Sequence, residues 1–331
     1  MVNNMSTVKI FFLIIFEIVS FIGILGNGFI IVVNGHKWFQ SRKMIPSDFL
    51  LTSLSTSRFI MQLSLLINYV LLFSLKNNFR FAVEDVMFFS WMFSNMISHW
   101  CATGLCVFYC VKVANFANPL FLWLKARINM HLPRLLGLSI AIFMVSCLPF
   151  LFEYFGHRKW CNLTEILPEN ASQSEFGDTP AIVFLPMQFS FYVINLCLST
   201  IASILLLVSL WRHTRNLKKS GVGVKDLSTQ VHIKVMAFLL FWIFFYFADL
   251  IALIIYADLI NSIGTVQGLL LGISMSAFPS AHSIILILTN PKLKEMFDYI
   301  IKNICSYHRH QEQNMEKGHS LQDRKRHSLP I

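Results

Sequence analysis

Three ionisable side chains, Glu17, Arg58 and Asp249, lie well inside long apolar runs of this 331-residue chain. A charge in such a place is costly unless it is paired, hydrated or put to use. Arg58 has the character of an internal polar clamp, with Asn27 and Ser283 as expected partners, more than of a ligand contact. Asp249 stands roughly 12 Å, or about two helical turns, from the outer end of its run. At that depth it could pair a cationic ligand from a cavity wall, or it could serve as an interhelical hydrogen bond; the sequence leaves both open. Trp91 and Asn95 are one turn apart and share a face, with Ser98 and His99 a turn deeper. An aromatic plate beside an amide suits a small molecule, and the same spacing also suits packing. No catalytic arrangement accompanies these groups. The 11 histidines are scattered, and the chain has no His-Glu-x-x-His, no paired cysteine ligands and no phosphate-cradling glycine loop. It is expected to be no enzyme and to need no metal or cofactor.

The elements that position these residues follow from composition. Hydrophobic residues make up 55% of the chain and charged residues only 13%, with a mean hydropathy of +0.60. Soluble domains carry about 25% charged residues, so a polytopic membrane protein is expected. Seven apolar runs have the ~20-residue length that a bilayer demands: 10–34, 47–73, 87–115, 132–152, 181–211, 233–256 and 263–289. They are continuous instead of alternating, which predicts helices and argues against a barrel. The first is too long for a secretory signal, contains Glu17 and lacks a basic start, so it reads as a retained helix. The expected fold is an all-α bundle of seven transmembrane helices over 10–289, preceded by an extracellular N-terminus, 1–9.

Charge sets the expected orientation. All 27 basic residues except Lys9, Lys76, Arg80, Arg158, Lys159 and the intramembrane Arg58 fall on one side if the N-terminus is outside. That asymmetry predicts a cytoplasmic C-terminus in a multi-pass plasma-membrane protein. The sequons at Asn162 and Asn170 then lie in the outer loop between the fourth and fifth runs, where glycosylation is expected. Cys161 is the sole outer cysteine, so a disulfide to the third helix has no second thiol. Past the seventh run, Leu293, Met296, Phe297, Ile300, Ile301 and Ile304 recur at three- and four-residue steps. They predict an amphipathic interfacial helix over 290–305, with Cys305 a palmitoylation candidate. The polar, basic segment 306–331 is expected to be disordered. The +10 net charge is read as an orientation signal and a lipid-facing inner surface, with no nucleic acid required.

The inner ends of the helices resemble the type 2 bitter taste receptors, a family of seven-helix G-protein-coupled receptors. The first helix reads GILGNGFIIVVNG and the second SLSTSRF, with Arg58 at the family's arginine. The third reads WCATGLCVFYCVKVANFANPLFLWLK, where Phe108, Tyr109, Lys112, Ala114 and Phe116 match. The fifth ends LLLVSLWRHTRNLKKSGVGVKDLSTQVH, and the seventh ends HSIILILTNPKL. The Asp-Arg-Tyr and Asn-Pro-x-x-Tyr stretches of rhodopsin-like receptors are missing.

The resemblance implies an outer pocket for small bitter-tasting compounds and coupling to a taste-type heterotrimeric G protein. By position, Trp91 and Asn95 match the family's ligand-contacting pair, and Tyr69, Tyr246 and Asp249 are further candidates. Asn27, Arg58, Tyr109, His282 and Ser283 would form the switching core. Lys112, Lys125, Arg212, His213, Lys234 and Lys292 would face the G protein. Two departures stand out: Met96 replaces the family's usual histidine, and the chain between His232 and Phe238 is about one turn short. A vomeronasal type 1-like pheromone receptor is the alternative within receptors, and a secondary transporter the alternative outside them. Membrane lipids and a second receptor copy are further candidate partners.

Overall fold

A computed structural model describes residues 7–42, 45–74, 77–114, 119–164, 180–219, 243–255 and 266–327. Among the described residues there are helices and no strand. In chain order they are α1 (Thr7–Ser41), α2 (Pro46–Ser74), α3 (Asn77–Val113), α4 (Pro119–Thr164), α5 (Pro180–Lys219), α6 (Ile243–Ile255), α7 (Val266–Thr289) and α8 (Pro291–His327). Six of them, α1 to α5 and α7, are long and apolar enough to cross a membrane, and α6 is a shorter apolar helix. The seven-helix expectation is borne out, although the first part of the sixth run, with Lys234, lies outside the described residues.

The helices outrun the apolar segments that announced them. The run 132–152 becomes the 46-residue α4, because hydropathy marks where a helix leaves lipid and not where its hydrogen bonds stop. Pro119 opens α4 at a position where a missing N–H costs nothing. α1 stops where Arg42 adopts a left-handed φ of 50°, and the Arg42 N–H still reaches the Trp38 carbonyl at 2.9 Å. Lys37 Nζ and Asp48 Oδ2, 2.9 Å apart, bridge the end of α1 to the start of α2.

The chain forms two compact units, Met1–Ala281 and His282–Ile331. In the first, α3 packs against α2, α4 and α5, and α2 packs against α1. The helices turn apolar side chains outward: Phe11, Ile18 and Leu25 on α1, and Leu138, Ile142 and Val145 on α4, are all exposed. Polar side chains are drawn inward, which is how a bundle in lipid satisfies them. On α5, Gln188, Tyr192, Asn195, Ser199 and Ser203 recur every three or four residues and are all buried.

One polar seam joins α1, α2 and α7. The Gln62 amide donates to Ser280 Oγ at 2.8 Å and to the Ser276 carbonyl at 3.3 Å. Ser280 Oγ contacts the carbonyls of Val19 and Ser276, each at 2.8 Å, and Ser20 Oγ lies 3.2 Å from Ser276 Oγ. Asn27 Nδ2 donates to the Gly23 carbonyl at 2.9 Å and lies 3.5 Å from Gln62 Oε1. Glycine at position 23 makes room for this, since a Cβ there would run into the side chains of Gln62 and Ser280. The Asn27 partner read from the sequence, Arg58, is thus replaced by Gln62, one turn further along α2.

In the second unit, Asn290 caps α8. Its side-chain oxygen accepts the Lys292 N–H at 3.1 Å, and Pro291 takes the first helical position, the usual N-terminal pairing. The helix continues to His327, well past residue 305, where the amphipathic segment was expected to end. The added stretch is polar but free of proline, and its Gln, Glu, Lys and Arg are good helix formers.

Candidate functional site

A pocket opens where α2, α3, α5, α6 and α7 converge. Arg58 and Met61 line it from α2, Trp91, Asn95, Ser98 and His99 from α3, and Tyr192 from α5. Asp249 and Leu253 come from α6, and Met275, Phe278 and Pro279 from α7. Helical spacing explains the set: 91, 95, 98 and 99 form one face of α3, and 249 and 253 one face of α6. Pro279 has no N–H to give the Met275 carbonyl, so α7 is weakened at the pocket wall. The cavity itself is only about 20 Å³, within about 420 Å³ of space that includes its open mouth. The pocket is a narrow slot.

Behind the slot lies a core cluster to which Met61, Trp91 and Met275 also belong, together with Met92, Met96, Phe143, Phe184 and Met187. Methionine is flexible and polarizable, so such a wall can reshape around different apolar contacts. Met96 is 1% exposed in this cluster and adds to its apolar character.

The polar end of the slot is an ordered cluster. Arg58 is buried; its Nε donates to Ser98 Oγ at 3.1 Å, and its guanidinium carbon lies 5.2 Å from the Phe278 ring centre. The Tyr192 hydroxyl donates to Asp249 Oδ2 at 2.6 Å. His99 Nε2 is 3.6 Å from the same oxygen, too far for a hydrogen bond. The rings of His99, Tyr192 and Tyr246 form a triangle, with centroids 4.3 Å apart for His99–Tyr192 and 5.0 Å for each of the other two pairs. A guanidinium and a carboxylate therefore line one pocket.

The five candidates for ligand contact divide. Trp91, Asn95 and Asp249 come together in the slot, while Tyr69 and Tyr246 are not among its lining residues. Tyr69 instead packs on Phe16, ring centres 4.5 Å apart, and donates to the Gly268 carbonyl at 3.0 Å. It ties α2 to α7 because that face of α2 looks toward α1 and α7. Tyr246 is buried behind His99 and Tyr192.

The remaining candidates are distributed as follows. Asn27, Arg58, His282 and Ser283 are buried, but Tyr109 is 48% exposed. It shares its face of α3 with Lys112 and Val113, both exposed, so it stands outside the buried core. Lys125 is part-buried and donates to the Ala114 carbonyl at 3.2 Å, satisfying a carbonyl at the end of α3. Lys112 and Arg212 are exposed, as is Lys292 in the second unit, and Lys112 Nζ lies 5.8 Å from the Phe108 ring centre. His213 lies in α5 and Asn162 in α4, whereas Asn170 lies outside the described residues. Cys305 is a free, exposed thiol. Glu17 is on the exposed face of α1, away from the slot.

Sequence reasoning missed Tyr192, whose hydroxyl lies 2.6 Å from Asp249 Oδ2. The buried polar stripe on α5 was the available signal.

A family profile described as taste receptor protein (TAS2R) matches residues 4–305. The chain belongs to this taste receptor family. It is 33% identical over 286 residues to taste receptor type 2 member 7 of Rattus norvegicus, covering 83% of this chain and 89% of the relative. It is 34% identical over 281 residues to taste receptor type 2 member 10 of Papio hamadryas, covering 83% and 88%. Taste receptor type 2 member 119 of Rattus norvegicus is 33% identical over 285 residues, with 86% and 83% covered. The family assignment drawn from the helix ends is borne out, and with it a multi-pass membrane receptor in a family that is not one of enzymes.

Proposed function

We propose that this taste receptor binds small bitter-tasting compounds in the slot between α2, α3, α5, α6 and α7 and activates a heterotrimeric G protein at the plasma membrane. The observation that supports this best is the convergence of Trp91, Asn95 and Asp249, chosen from the sequence, on one pocket with Arg58 at its polar end. Trp91 offers a ring face, Asn95 an amide, and the surrounding methionines an adaptable apolar wall.

The narrowness of the slot suggests how binding is transmitted. A compound that fills the slot would be accommodated better with the surrounding helices further apart, and would then have higher affinity for that arrangement. That difference in affinity shifts the population of states. With the N-terminus outside, the basic inner ends around Lys112, Lys125, Arg212, His213, Lys234 and Lys292 would take the G protein, and Asn162 and Asn170 would carry glycans outside. Asn27, Arg58, His282 and Ser283 are the buried polar groups proposed to rearrange between states. Segment 290–305 would lie on the inner membrane surface, with Cys305 open to acylation.

The test is calcium release in cells that express the full chain with a chimeric taste-type G protein, challenged with a broad panel of bitter compounds. A dose-dependent response is expected. Silence across the panel, with surface expression verified, would overturn the reading.

A further inference from the structure

The polar end of the slot holds one group of each charge, and the two are not equally available. Arg58 is 2% exposed as a residue, with Ser98 bonded to its Nε and the Phe278 ring against its guanidinium. The Asp249 side chain keeps 16% of its surface exposed. Its Oδ2 accepts the Tyr192 hydroxyl, and no second hydrogen bond to Asp249 occurs among the described residues. An entering molecule therefore meets a carboxylate with acceptor capacity to spare, while the cation beside it is covered.

The other groups around the carboxylate strengthen this bias. His99 approaches from α3 with Nε2 at 3.6 Å from Asp249 Oδ2 and no hydrogen-bond partner among the described residues. Tyr192 reaches the carboxylate through its hydroxyl, its ring packs edge to face with His99 at 4.3 Å, and Trp91 lines the same slot. Aromatic faces favour cations, most strongly when water is excluded. A charge-assisted N–H to carboxylate bond is about twice as strong as a neutral one.

We infer that Asp249 anchors a protonated amine, so that the cationic aromatic amines form a preferred ligand class of this receptor. The inference rests on the receptor reading above and adds the ligand's charge and the atom that reads it. The amine nitrogen donates to the open oxygen of Asp249, its aromatic part lies toward Trp91 and the methionine wall, and Tyr192 holds the carboxylate in place. An anionic ligand would meet the partly open carboxylate first, while the arginine is covered by Ser98 and Phe278.

The experiment uses the full-length receptor in the calcium assay. The probes are a set of arylalkylamines, each paired with its uncharged N-acetyl derivative, alongside neutral agonists found in the bitter panel. The expected result is that amines outrank their acetylated partners on the wild type. Asp249→Asn keeps an acceptor for Tyr192 but loses the charge, and should lower amine potency by about tenfold or more. Neutral agonists share the slot but not the charge contact, so they should lose less, and the potency ratio of each amine to its acetyl derivative should fall by about tenfold. Equal loss for both kinds of agonist, unchanged amine potency in the variant, or a wild type that answers neutral compounds and ignores amines would each overturn the inference and leave the receptor reading standing. Silence toward both panels would overturn both. If Asp249→Asn fails to reach the surface, Asp249→Glu decides: it retains the charge and should retain the preference for amines over their acetyl derivatives, and loss of that preference counts against the anchor.

Discussion

The Tyr192 hydroxyl lies 2.6 Å from Asp249 Oδ2 and ties the middle of α5 to α6 beside the pocket. Interhelical hydrogen bonds within membranes are worth about 0.6 kcal/mol on average and up to ~1.7. This one is short and charge-assisted, which puts it at the upper end of that range. Tyr192→Phe should therefore lower the thermal unfolding midpoint of the detergent-solubilised receptor, by an amount equivalent to about 1–2 kcal/mol. Asp249→Ala should cost more, because it also leaves the buried Arg58 without the opposite charge that faces it across the slot. A midpoint unchanged by Tyr192→Phe would show that the bond contributes nothing.

Asn95 and Tyr69, both ligand candidates from the sequence, should behave differently. Asn95 lines the slot and makes no hydrogen bond among the described residues, so its amide is available to a ligand. Asn95→Ala should weaken agonist potency by about three- to tenfold, the value of a typical hydrogen bond, with normal surface expression. Tyr69→Phe removes the bond to the Gly268 carbonyl and should reduce surface expression while leaving potency unchanged in the receptors that arrive. Dose–response curves normalised to surface label separate the two, and a potency loss confined to Tyr69→Phe would reverse the assignment.

The difference between these two tyrosine and asparagine positions also shows what a single sequence can carry. The seven runs were readable because a bilayer imposes length and hydropathy on each helix independently. The Trp91–Asn95 face was readable because helical periodicity is local. The rotation of α2 that turns Tyr69 toward Phe16 and Gly268, away from Trp91, depends on packing between distant segments and leaves no local mark. The same holds for Tyr192 and Asp249, 57 residues apart in sequence. Each stands out as a polar group in an apolar run, but nothing local says that they meet. The exposed position of Tyr109 could have been read, since Lys112 and Val113 lie on its face.

Gly23 and Gly28 sit five residues apart on α1 and should respond to alanine in opposite ways. A Cβ on Gly23 would collide with Gln62 and Ser280, whose side chains are fixed by the bonds of the α1–α2–α7 seam. Gly23→Ala should lose about 1–3 kcal/mol, as overpacked sites do, and surface expression should fall sharply. At Gly28 the nearest atom to a Cβ is Phe59 Cε2 at 3.5 Å, an ordinary contact. Gly28→Ala should be neutral or stabilising, since alanine favours the helix by about 1 kcal/mol over glycine. Equal expression of both variants would argue that the seam can rearrange.

The cap on α8 supplies the last prediction. Asn290 accepts the Lys292 N–H at 3.1 Å, and the backbone N–H of Lys294 reaches the Asn290 carbonyl at 2.9 Å. Asn290→Ala keeps the second bond and loses the first, at a cost of about 0.5–2 kcal/mol confined to the first turn. Asn290→Asp keeps an acceptor at the same place and adds a negative charge at the positive end of the helix dipole, so it should hold the turn at least as well. Amide hydrogen exchange at residues 292–295 should therefore speed up by about threefold or more in Asn290→Ala and stay near the wild-type rate in Asn290→Asp. Equal exchange in both variants would mean that Pro291 alone sets the start of α8.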